Sequence, residues 1–319
     1  MDGNNQIHEK ELLRLLENDE TADQAIATYF QIDETMPFKI TYELKPEIEV
    51  IADAQLEGRK IKVPKAIKKM FVRLANGRAR RKRRNRYKKI IEEHPERTRI
   101  VSEGDSWFQY PGIKDIIDHL FNYFAIFSVG AAGDELSKMF RKNEYLPALK
   151  EEGAEILLLS GGGNDLMGGH FGDYLKEYAA GREPRDSLNN EFFAKIDDMM
   201  NIYQTLFAFI KRKRPDTKIL FHGYDYVIPR SEKKGKWLGR PMEKKGITKD
   251  KDKKALMRFI IDYLNERLKS LSDQHGNAVF VDVRDTVRED YWHDEIHPND
   301  DGFQQVALKF MNRINTISS

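Results

Sequence analysis

Short hydrophobic runs alternate with longer amphipathic segments through the last two thirds of the chain. Five of these runs predict strands, at residues 99–102, 125–129, 155–160, 218–222 and 278–283. Between them, residues 192–213 and 253–272 repeat apolar positions at helical spacing. Strands that alternate with helices in this way predict an α/β domain whose parallel sheet is covered by helices on both faces.

The pattern before residue 98 is different. Residues 6–32 keep apolar positions at helical spacing with a break at 18–21, and an extended segment is expected at 39–44. Another helix is expected to run from Lys65 into the basic segment that follows residue 77, and Pro95 ends whatever element precedes it. We therefore divide the chain into a small, mainly helical N-terminal module (1–77), a basic linker or arm (78–97) and an α/β domain (98–319).

The arm concentrates positive charge. Nine cations and no acid occur between residues 78 and 89, namely Arg78, Arg80, Arg81, Lys82, Arg83, Arg84, Arg86, Lys88 and Lys89. The whole chain carries a net charge of only +2, so the remainder is acidic. Such a run is typical of a solvated linker or helix face, but it also fits binding to an anionic membrane surface or to nucleic acid. All three interpretations stay open, and the N-terminal module is a candidate site for a protein partner.

Composition excludes several classes of chemistry. The 319 residues contain no cysteine, which excludes disulfides, thiolate metal sites and a cysteine nucleophile. The N-terminus is polar and lacks the apolar core of a signal peptide. No apolar run approaches the roughly 20 residues of a membrane span. These features favour a cytoplasmic location.

A serine at the end of the first predicted strand is the leading candidate for a nucleophile. Gly104, Asp105 and Ser106 directly follow the apolar residues of this strand. Open α/β folds bind ligands at the carboxyl ends of their strands, so the Ser106 hydroxyl is expected at that edge. The tripeptide alone is a weak signal, because Gly-Asp-Ser also marks an ordinary turn. The hypothesis therefore depends on whether later segments supply a base and oxyanion donors.

Three later segments supply those groups. Asp294 and His297 lie three residues apart after the fifth strand, so the carboxylate can orient the imidazole as a general base. Gly133 follows the second strand and lets a backbone N–H approach a ligand, while Asn164 follows the third strand with a side-chain amide. Both are candidate oxyanion donors. Residues 223–249, an insertion after the fourth strand, are expected to lie over the same edge as Ser106.

Together these segments resemble the four motif blocks of the SGNH (GDSL-type) hydrolases. The blocks are Gly104-Asp105-Ser106, Gly133, Gly162-Gly163-Asn164-Asp165 and Asp294-Glu295-Ile296-His297. The resemblance covers residues 98–319 and implies a flavodoxin-like three-layer α/β/α sandwich with a five-stranded parallel sheet. It also implies that Ser106 is the nucleophile and that Asp294 orients the base His297. Gly133, Asn164 and the backbone N–H of Ser106 would form the oxyanion hole. Residues 1–97 match no motif of the family.

The activity that the resemblance implies is hydrolysis of carboxylic esters through an acyl-enzyme on Ser106. Trp107 and the aromatic residues of the insertion favour lipid or phospholipid acyl esters, because aromatic side chains supply apolar contact area. Asp105 and Asp165 are further candidate substrate-binding residues. Removal of acetyl groups from carbohydrates is an alternative. A second alternative is a recruitment protein that uses the N-terminal helices and the basic arm and retains only a vestigial site.

Neither a cofactor nor a metal ion is expected. His293 and His297 have a spacing found in helical zinc sites, but Pro298 disfavours helical geometry at His297. Glycines 161–163 could cradle a phosphate, but no Lys-Ser or Lys-Thr pair follows them. An ester substrate is therefore the small-molecule partner that we expect.

Overall fold

The computed structural model describes residues 5–33, 41–52, 65–167, 169–231 and 236–318. The elements of its N-terminal part are β1 (Gln6–His8), α1 (Glu9–Glu17), α2 (Ala22–Tyr29), β2 (Phe30–Asp33), β3 (Thr41–Leu44), β4 (Glu49–Ile51) and α3 (Lys65–Glu93). β1 pairs with β4 in parallel, and β2 pairs with β3 antiparallel. Both ends of the segment expected to be helical, 6–32, are therefore extended. The extended segment expected at 39–44 is confirmed from Thr41 onward, and residues 39–40 lie outside the described residues.

The N-terminal part has a hydrophobic core of its own. Its buried residues include Leu12, Leu16 and Ile26 from the first two helices and Phe71 from α3. Further along the same helix, Tyr87 packs in the core of the α/β domain. α3 therefore belongs to both parts, and the predicted boundaries at residues 77 and 97 stay a prediction.

The helix expected from Lys65 into the basic segment is confirmed. Residues 78–93 form the second half of α3, which packs against the strand at Ala125–Ser128. Internal partners of its cations are Asp19 and Asp23 for Arg78, Glu144 and the carbonyls of Val129 and Gly130 for Arg80, the Leu74 carbonyl for Arg81, Asp23 for Lys82, Asp115, Asp118 and the Phe108 carbonyl for Arg83, Asn122 for Arg86, and Glu93 for Lys89. Binding of this segment to an anionic surface or nucleic acid stays a prediction, and it concerns the exposed cations such as Lys88.

A five-stranded parallel sheet forms the centre of the α/β domain. Its strands are β5 (Arg99–Gly104), β6 (Ala125–Ser128), β7 (Ile156–Ser160), β8 (Lys218–His222) and β9 (Ala278–Val281), in the order β6-β5-β7-β8-β9. All five predicted strands are confirmed, with ends that differ by at most two residues. β7 is buried along its whole length, as expected for a strand covered on both faces.

Helices cover both faces of this sheet. They are α4 (Ile116–Leu120), α5 (Leu136–Lys142), α6 (Tyr145–Glu151), α7 (Gly163–Met167), α8 (Asn190–Lys213), α9 (Gly239–Lys244), α10 (Asp250–Gln274) and α11 (Asp300–Ser318). The two long helices α8 and α10 pack against each other and include the predicted segments 192–213 and 253–272. The predicted three-layer sandwich is thereby confirmed. In the part of the chain that the structure describes, no helix has the length and hydropathy of a membrane span.

The strand order reverses direction between β5 and β7. Because β5 lies between β6 and β7, the loops that leave these three strands meet at one edge of the sheet. Doubly wound folds bind their ligands in the crevice at such a point. Ser106 follows β5 immediately, Gly133 follows β6 and Asn164 follows β7.

Candidate active site

The nucleophile candidate stands on a tight turn after β5. Gly104 begins this turn, where a Cβ atom would come within 2.8 Å of the Phe108 ring and 2.9 Å of the Ser160 Cβ. A larger residue would therefore push the turn off the strand end. The Ser106 Oγ lies 2.8 Å from Nε2 of His297, which comes from the loop between β9 and α11. Residues 191 positions apart in the sequence thus form a hydrogen-bonded pair.

Asp294 orients this imidazole. Its Oδ2 lies 2.8 Å from Nδ1 of His297, and its Oδ1 accepts hydrogen bonds from the backbone N–H groups of Ile296 and His297. Burial alone would raise the pKa of Asp294, but the charge interaction and hydrogen bonds with His297 and Ile296 leave the pKa below its usual value. An ionised carboxylate only accepts hydrogen bonds. Nδ1 therefore carries the proton, and Nε2 is left to accept one from Ser106.

Two aromatic rings screen the pair from solvent. Ser106 and His297 have no exposed surface. The ring centroids of Tyr110 and His297 are 4.8 Å apart, with an angle of 70° between the ring planes. The ring centroids of Trp237 and His297 are 5.8 Å apart, with an angle of 90° between the planes. Trp237 belongs to the insertion after β8, so the prediction that this insertion lies over the Ser106 edge is confirmed for its described residues. Trp237 is one of the aromatic residues of the insertion, and no sequence pattern predicted its contact with the base.

Asp105 stabilises the turn that carries Ser106 from the protein interior. The prediction that it contacts substrate needs a correction. The carboxylate is fully buried and accepts hydrogen bonds from the Tyr224 hydroxyl at 2.5 Å, the Ser160 hydroxyl at 2.8 Å and the Trp107 backbone N–H at 3.1 Å. Burial raises the pKa of Asp105 although these three bonds oppose the rise. His222 donates to the Ser160 hydroxyl at 2.9 Å, and burial lowers its pKa to about 3, so its ring is neutral. These contacts hold the turn and leave the carboxylate no access to a ligand.

Trp107 also needs a correction. It was expected to contact substrate, but its side chain is fully buried. The indole packs among the rings of His222, Tyr224, Trp292 and Phe303. Its Nε1 donates to the Ile296 carbonyl at 3.1 Å. Trp107 therefore joins the nucleophile turn to the loop that carries His297, and its role is to position both.

The oxyanion candidates lie on two loops that are tied together. Gly133 adopts a φ of +80°, which a glycine tolerates far better than other residues. The Asn164 side-chain amide donates to the carbonyl of Asp134, the next residue, at 2.9 Å. An amide nitrogen carries two hydrogens and this bond uses one. The oxyanion role of Ser106, Gly133 and Asn164 stays a prediction that this arrangement permits.

Asp165 has a structural position instead of the predicted substrate contact. One carboxylate oxygen accepts the backbone N–H of Leu136, the first residue of α5, at 3.0 Å. The other lies 3.4 Å from the ammonium of Lys195. Only 8% of the residue is exposed, so Asp165 joins the β7 loop to the start of α5.

The support that α3 gives to the site was not predicted from the sequence. Arg83 donates to the carbonyl of Phe108 in the nucleophile turn and pairs with the buried Asp115 at 2.5 Å. Asp115 in turn accepts the backbone N–H of Tyr110 at 2.8 Å. Arg80 donates to the carbonyls of Val129 and Gly130, just before the oxyanion loop. The only sequence signal was the basic run itself, and it did not indicate internal acceptors.

The described residues contain no group of three or more His, Asp or Glu side chains arranged to hold a metal ion. The backbone N–H of His293 donates to the carbonyl of His297, and its ring packs against Tyr110. Both nitrogens of His297 are occupied by Ser106 and Asp294. The chemistry that this arrangement can perform is activation of a serine hydroxyl by a carboxylate-oriented imidazole.

Comparison with protein families gives one match. The model of the GDSL-like lipase/acylhydrolase family matches residues 98–305, which include Ser106, Asp294 and His297 and both candidate oxyanion loops. No curated protein matches the chain.

Solved structures similar to this chain include three hydrolases. Phospholipase A1 from Streptomyces albidoflavus has 15% sequence identity and a TM-score of 0.45, covering 68% of this chain and 99% of its own. An extracellular lipase from Streptomyces rimosus has 16% identity and a TM-score of 0.42, with the same coverage. A family 3 carbohydrate esterase from Clostridium thermocellum has 11% identity and a TM-score of 0.41, covering 70% of this chain and 99% of its own.

Proposed function

Because the chain belongs to the GDSL-like lipase/acylhydrolase family, we propose that it hydrolyses carboxylic esters through an acyl-enzyme on Ser106. The observation that carries this proposal is the hydrogen-bonded series Ser106–His297–Asp294, with both bonds at 2.8 Å. A serine hydroxyl is a weak nucleophile until a base removes its proton. In this series the base, its orienting carboxylate and the hydroxyl are already aligned.

In the acylation step, the Ser106 oxygen attacks the ester carbonyl while Nε2 of His297 takes the hydroxyl proton. The negative charge that develops on the carbonyl oxygen is stabilised by the N–H groups of Ser106 and Gly133 and by the Asn164 amide. Collapse of this tetrahedral species breaks the bond to the alcohol, which leaves with the proton from His297. The acyl group is then bonded to Ser106.

In the deacylation step, a water molecule attacks the acyl-enzyme and gives one proton to His297. The second tetrahedral species expels the Ser106 oxygen, which recovers that proton, and the carboxylic acid is released. Asp294 stays ionised throughout and stabilises the imidazolium that forms in each step.

We place apolar acyl esters, such as those of lipids and phospholipids, ahead of other substrates. Trp107 does not support this order, because it is buried in the core, but the aromatic rings of Tyr110 and Trp237 pack directly against the imidazole of the base and make its surroundings apolar. Removal of acetyl groups from carbohydrates remains the second candidate. The complete burial of Ser106 and His297 favours it, because a small acyl group needs less room. A vestigial site is disfavoured because the three residues keep their hydrogen bonds.

A panel of nitrophenyl esters with acyl chains from two to sixteen carbons tests the proposal on the full chain. The wild type should hydrolyse at least part of the panel, and Ser106→Ala should lower kcat at least about a thousandfold without loss of folding. Ser270→Ala, which changes an exposed serine on α10, is the matched control and should keep full activity. An optimum at acetyl would favour deacetylation over lipid hydrolysis. Wild-type activity that survives in Ser106→Ala would refute the assignment of the nucleophile.

A further inference from the structure

A buried carboxylate lies inside the loop that carries the base. Glu295 is fully buried, between Asp294 and His297 in the sequence. Its carboxylate accepts four backbone N–H groups, from Arg230 at 2.9 Å, Trp237 at 2.7 Å, Leu238 at 3.1 Å and Gly239 at 2.8 Å. Burial of an acidic side chain is costly unless donors compensate for the lost water. Here the donors all come from one segment, the insertion that follows β8.

The four bonds hold two parts of that segment together. Arg230 and Gly239 lie against each other, since a Cβ on Gly239 would come within 1.6 Å of the Arg230 carbonyl oxygen. The Arg230 guanidinium also donates to the Trp292 carbonyl at 3.0 Å, and the backbone N–H of Ile228 donates to the Glu295 carbonyl at 2.9 Å. The insertion and the His297 loop therefore form one hydrogen-bonded unit. Movement of the insertion relative to the base would require these bonds to break.

This unit fixes one side chain against the base. The Trp237 backbone N–H makes the shortest of the four bonds to Glu295, and its indole meets the imidazole of His297 at 90° with centroids 5.8 Å apart. The residue is only 4% exposed. Among the described residues its buried Nε1 has no hydrogen-bond partner. A buried donor without an acceptor is unfavourable, and an ester oxygen next to His297 would supply one.

Anchoring of the fold alone does not account for this arrangement. Hydrogen bonds could anchor the insertion at many places on the domain. Here they anchor it to Glu295, between Asp294 and His297, and they place the Trp237 ring against the imidazole of His297. A second tie, from the buried ammonium of Lys253 to the Ser231 hydroxyl at 2.8 Å and to Glu243 at 2.6 Å, holds the segment to α10 without touching the site. Of the four residues that Glu295 holds, Trp237 is the one whose ring packs against the base.

We propose that Trp237 determines which acyl groups reach Ser106 and that Glu295 is the positioning residue that holds Trp237 in place. The indole forms a fixed wall beside the base, and its size limits the length of the acyl group that fits. This inference rests on the ester hydrolysis proposed above and adds the element that sets the acyl specificity.

Replacement of Trp237 tests whether its indole limits the length of the acyl group. Trp237→Ala should raise the ratio of kcat/KM for octanoyl over acetyl nitrophenyl esters about tenfold or more, because a few methylene groups in an apolar site carry discrimination of that size. Trp237→Phe keeps most of the wall but loses the N–H donor. It should keep the wild-type ratio while its KM for all esters rises about three- to tenfold. Equal ratios in Trp237→Ala and the wild type would overturn the proposal.

Replacement of the anchor tests the positioning role. Glu295→Gln keeps one acceptor oxygen but replaces the other with an NH₂ group, which cannot accept the backbone N–H groups that face it. The insertion should therefore be held less firmly, while the hydrogen bond between Asp294 and His297 remains. The octanoyl-to-acetyl ratio should rise about threefold or more, mainly through KM, and the pH profile of kcat should not move. The matched control is Glu289→Gln, an exposed glutamate paired with Lys254 in the same part of the chain, and it should keep the wild-type ratio. A ratio within twofold of wild type in folded Glu295→Gln would remove Glu295 from the proposal. If this variant does not fold, the two Trp237 variants decide.

Labelling of Ser106 by a fluorophosphonate separates the two levels of failure, because this probe reports an activated serine whatever acyl group the site prefers. If the wild type neither reacts with the probe nor hydrolyses any ester, the proposed function fails and the specificity role fails with it. If the wild type reacts with the probe and hydrolyses esters, but Trp237→Ala leaves the acyl ratio unchanged, only the specificity role fails.

Discussion

At the carboxyl edge of the sheet, Ser106, His297 and Asp294 form one series of hydrogen bonds, whereas the cations of α3 spread to many separate partners. The first group converges on a single hydroxyl. The second contacts acids and carbonyls of both the N-terminal module and the α/β domain, as Arg78 does with Asp19 and Arg83 with Asp115. Catalysis requires side chains that act together on one atom, whereas contacts with many separate partners hold two parts of a chain together. A high density of polar residues in the sequence does not tell which of these two arrangements will form.

The largest expected effect breaks the convergent region. In Asp294→Asn, the amide carbonyl can still accept the backbone N–H groups of Ile296 and His297, but its NH₂ faces Nδ1 of the imidazole. The imidazole then carries its proton on Nε2, and in this tautomer it cannot accept the Ser106 proton. We expect kcat to fall about 10⁴-fold while the fold is retained. Ester hydrolysis and thermal unfolding measure the two quantities. Asp290→Asn, an exposed neighbour, is the control, and a loss below tenfold in Asp294→Asn would contradict the assigned role.

The next effect breaks the dispersed region. Arg83→Met leaves Asp115 buried without its cation, and removal of one partner of a buried pair costs about 3–5 kcal/mol of unfolding free energy. Urea denaturation of this variant measures the loss. Lys88→Met, on an exposed position of the same helix, should change stability by less than about 0.5 kcal/mol. Similar losses in both variants would mean that the buried pair is not what joins α3 to the domain.

A third effect lies where the two regions meet, at the buried Glu103 in β5. Burial raises the pKa of this carboxyl to about 8 from its usual 4.5. Between these values the folded protein keeps a proton that the unfolded chain releases, so the stability of the wild type falls as the pH rises. Glu103→Gln has no proton to lose. It should be more stable than the wild type by about 3 kcal/mol at pH 7, and this difference should vanish toward pH 4.

Urea denaturation across this pH range gives the Glu103 difference directly. Glu93→Gln, an exposed position at the end of α3, is the control and should show no such trend. A Glu103→Gln difference that stays constant from pH 4 to pH 8 would show that folding does not raise the pKa of this carboxyl.

The smallest effect concerns the exposed side of α3. Each cation near an anionic surface contributes about 1 kcal/mol, and many cations of this helix already have internal partners. We expect cosedimentation with phosphatidylserine vesicles to exceed that with neutral vesicles only modestly, and Lys88→Glu should reduce the excess. Equal binding to both vesicle types would end the membrane interpretation. Strong binding to double-stranded DNA that weakens steeply with salt would favour nucleic acid instead.

Local patterns were enough to predict the sheet and the residues at its edge. The five strands lie where the apolar runs place them, because a strand buried on both faces leaves a continuous apolar signature. Ser106, Asp294 and His297 follow strand ends, and parallel topology brings such ends together. The extended ends of the segment 6–32 were not predicted, because strand pairing there depends on residues that are distant in the sequence.

The sequence by itself determined the parallel α/β core and the order in which the motif residues appear. Both follow from periodicity and from short segments whose spacing is readable along the chain. Only the tertiary structure decided which polar and aromatic side chains have which role. It buried Trp107 and Asp105 beneath the nucleophile turn, placed Trp237 on the base, and gave Glu295 and Arg83 their partners. Each of these roles depends on a contact between residues that lie far apart in the sequence, and no local pattern encodes such a contact.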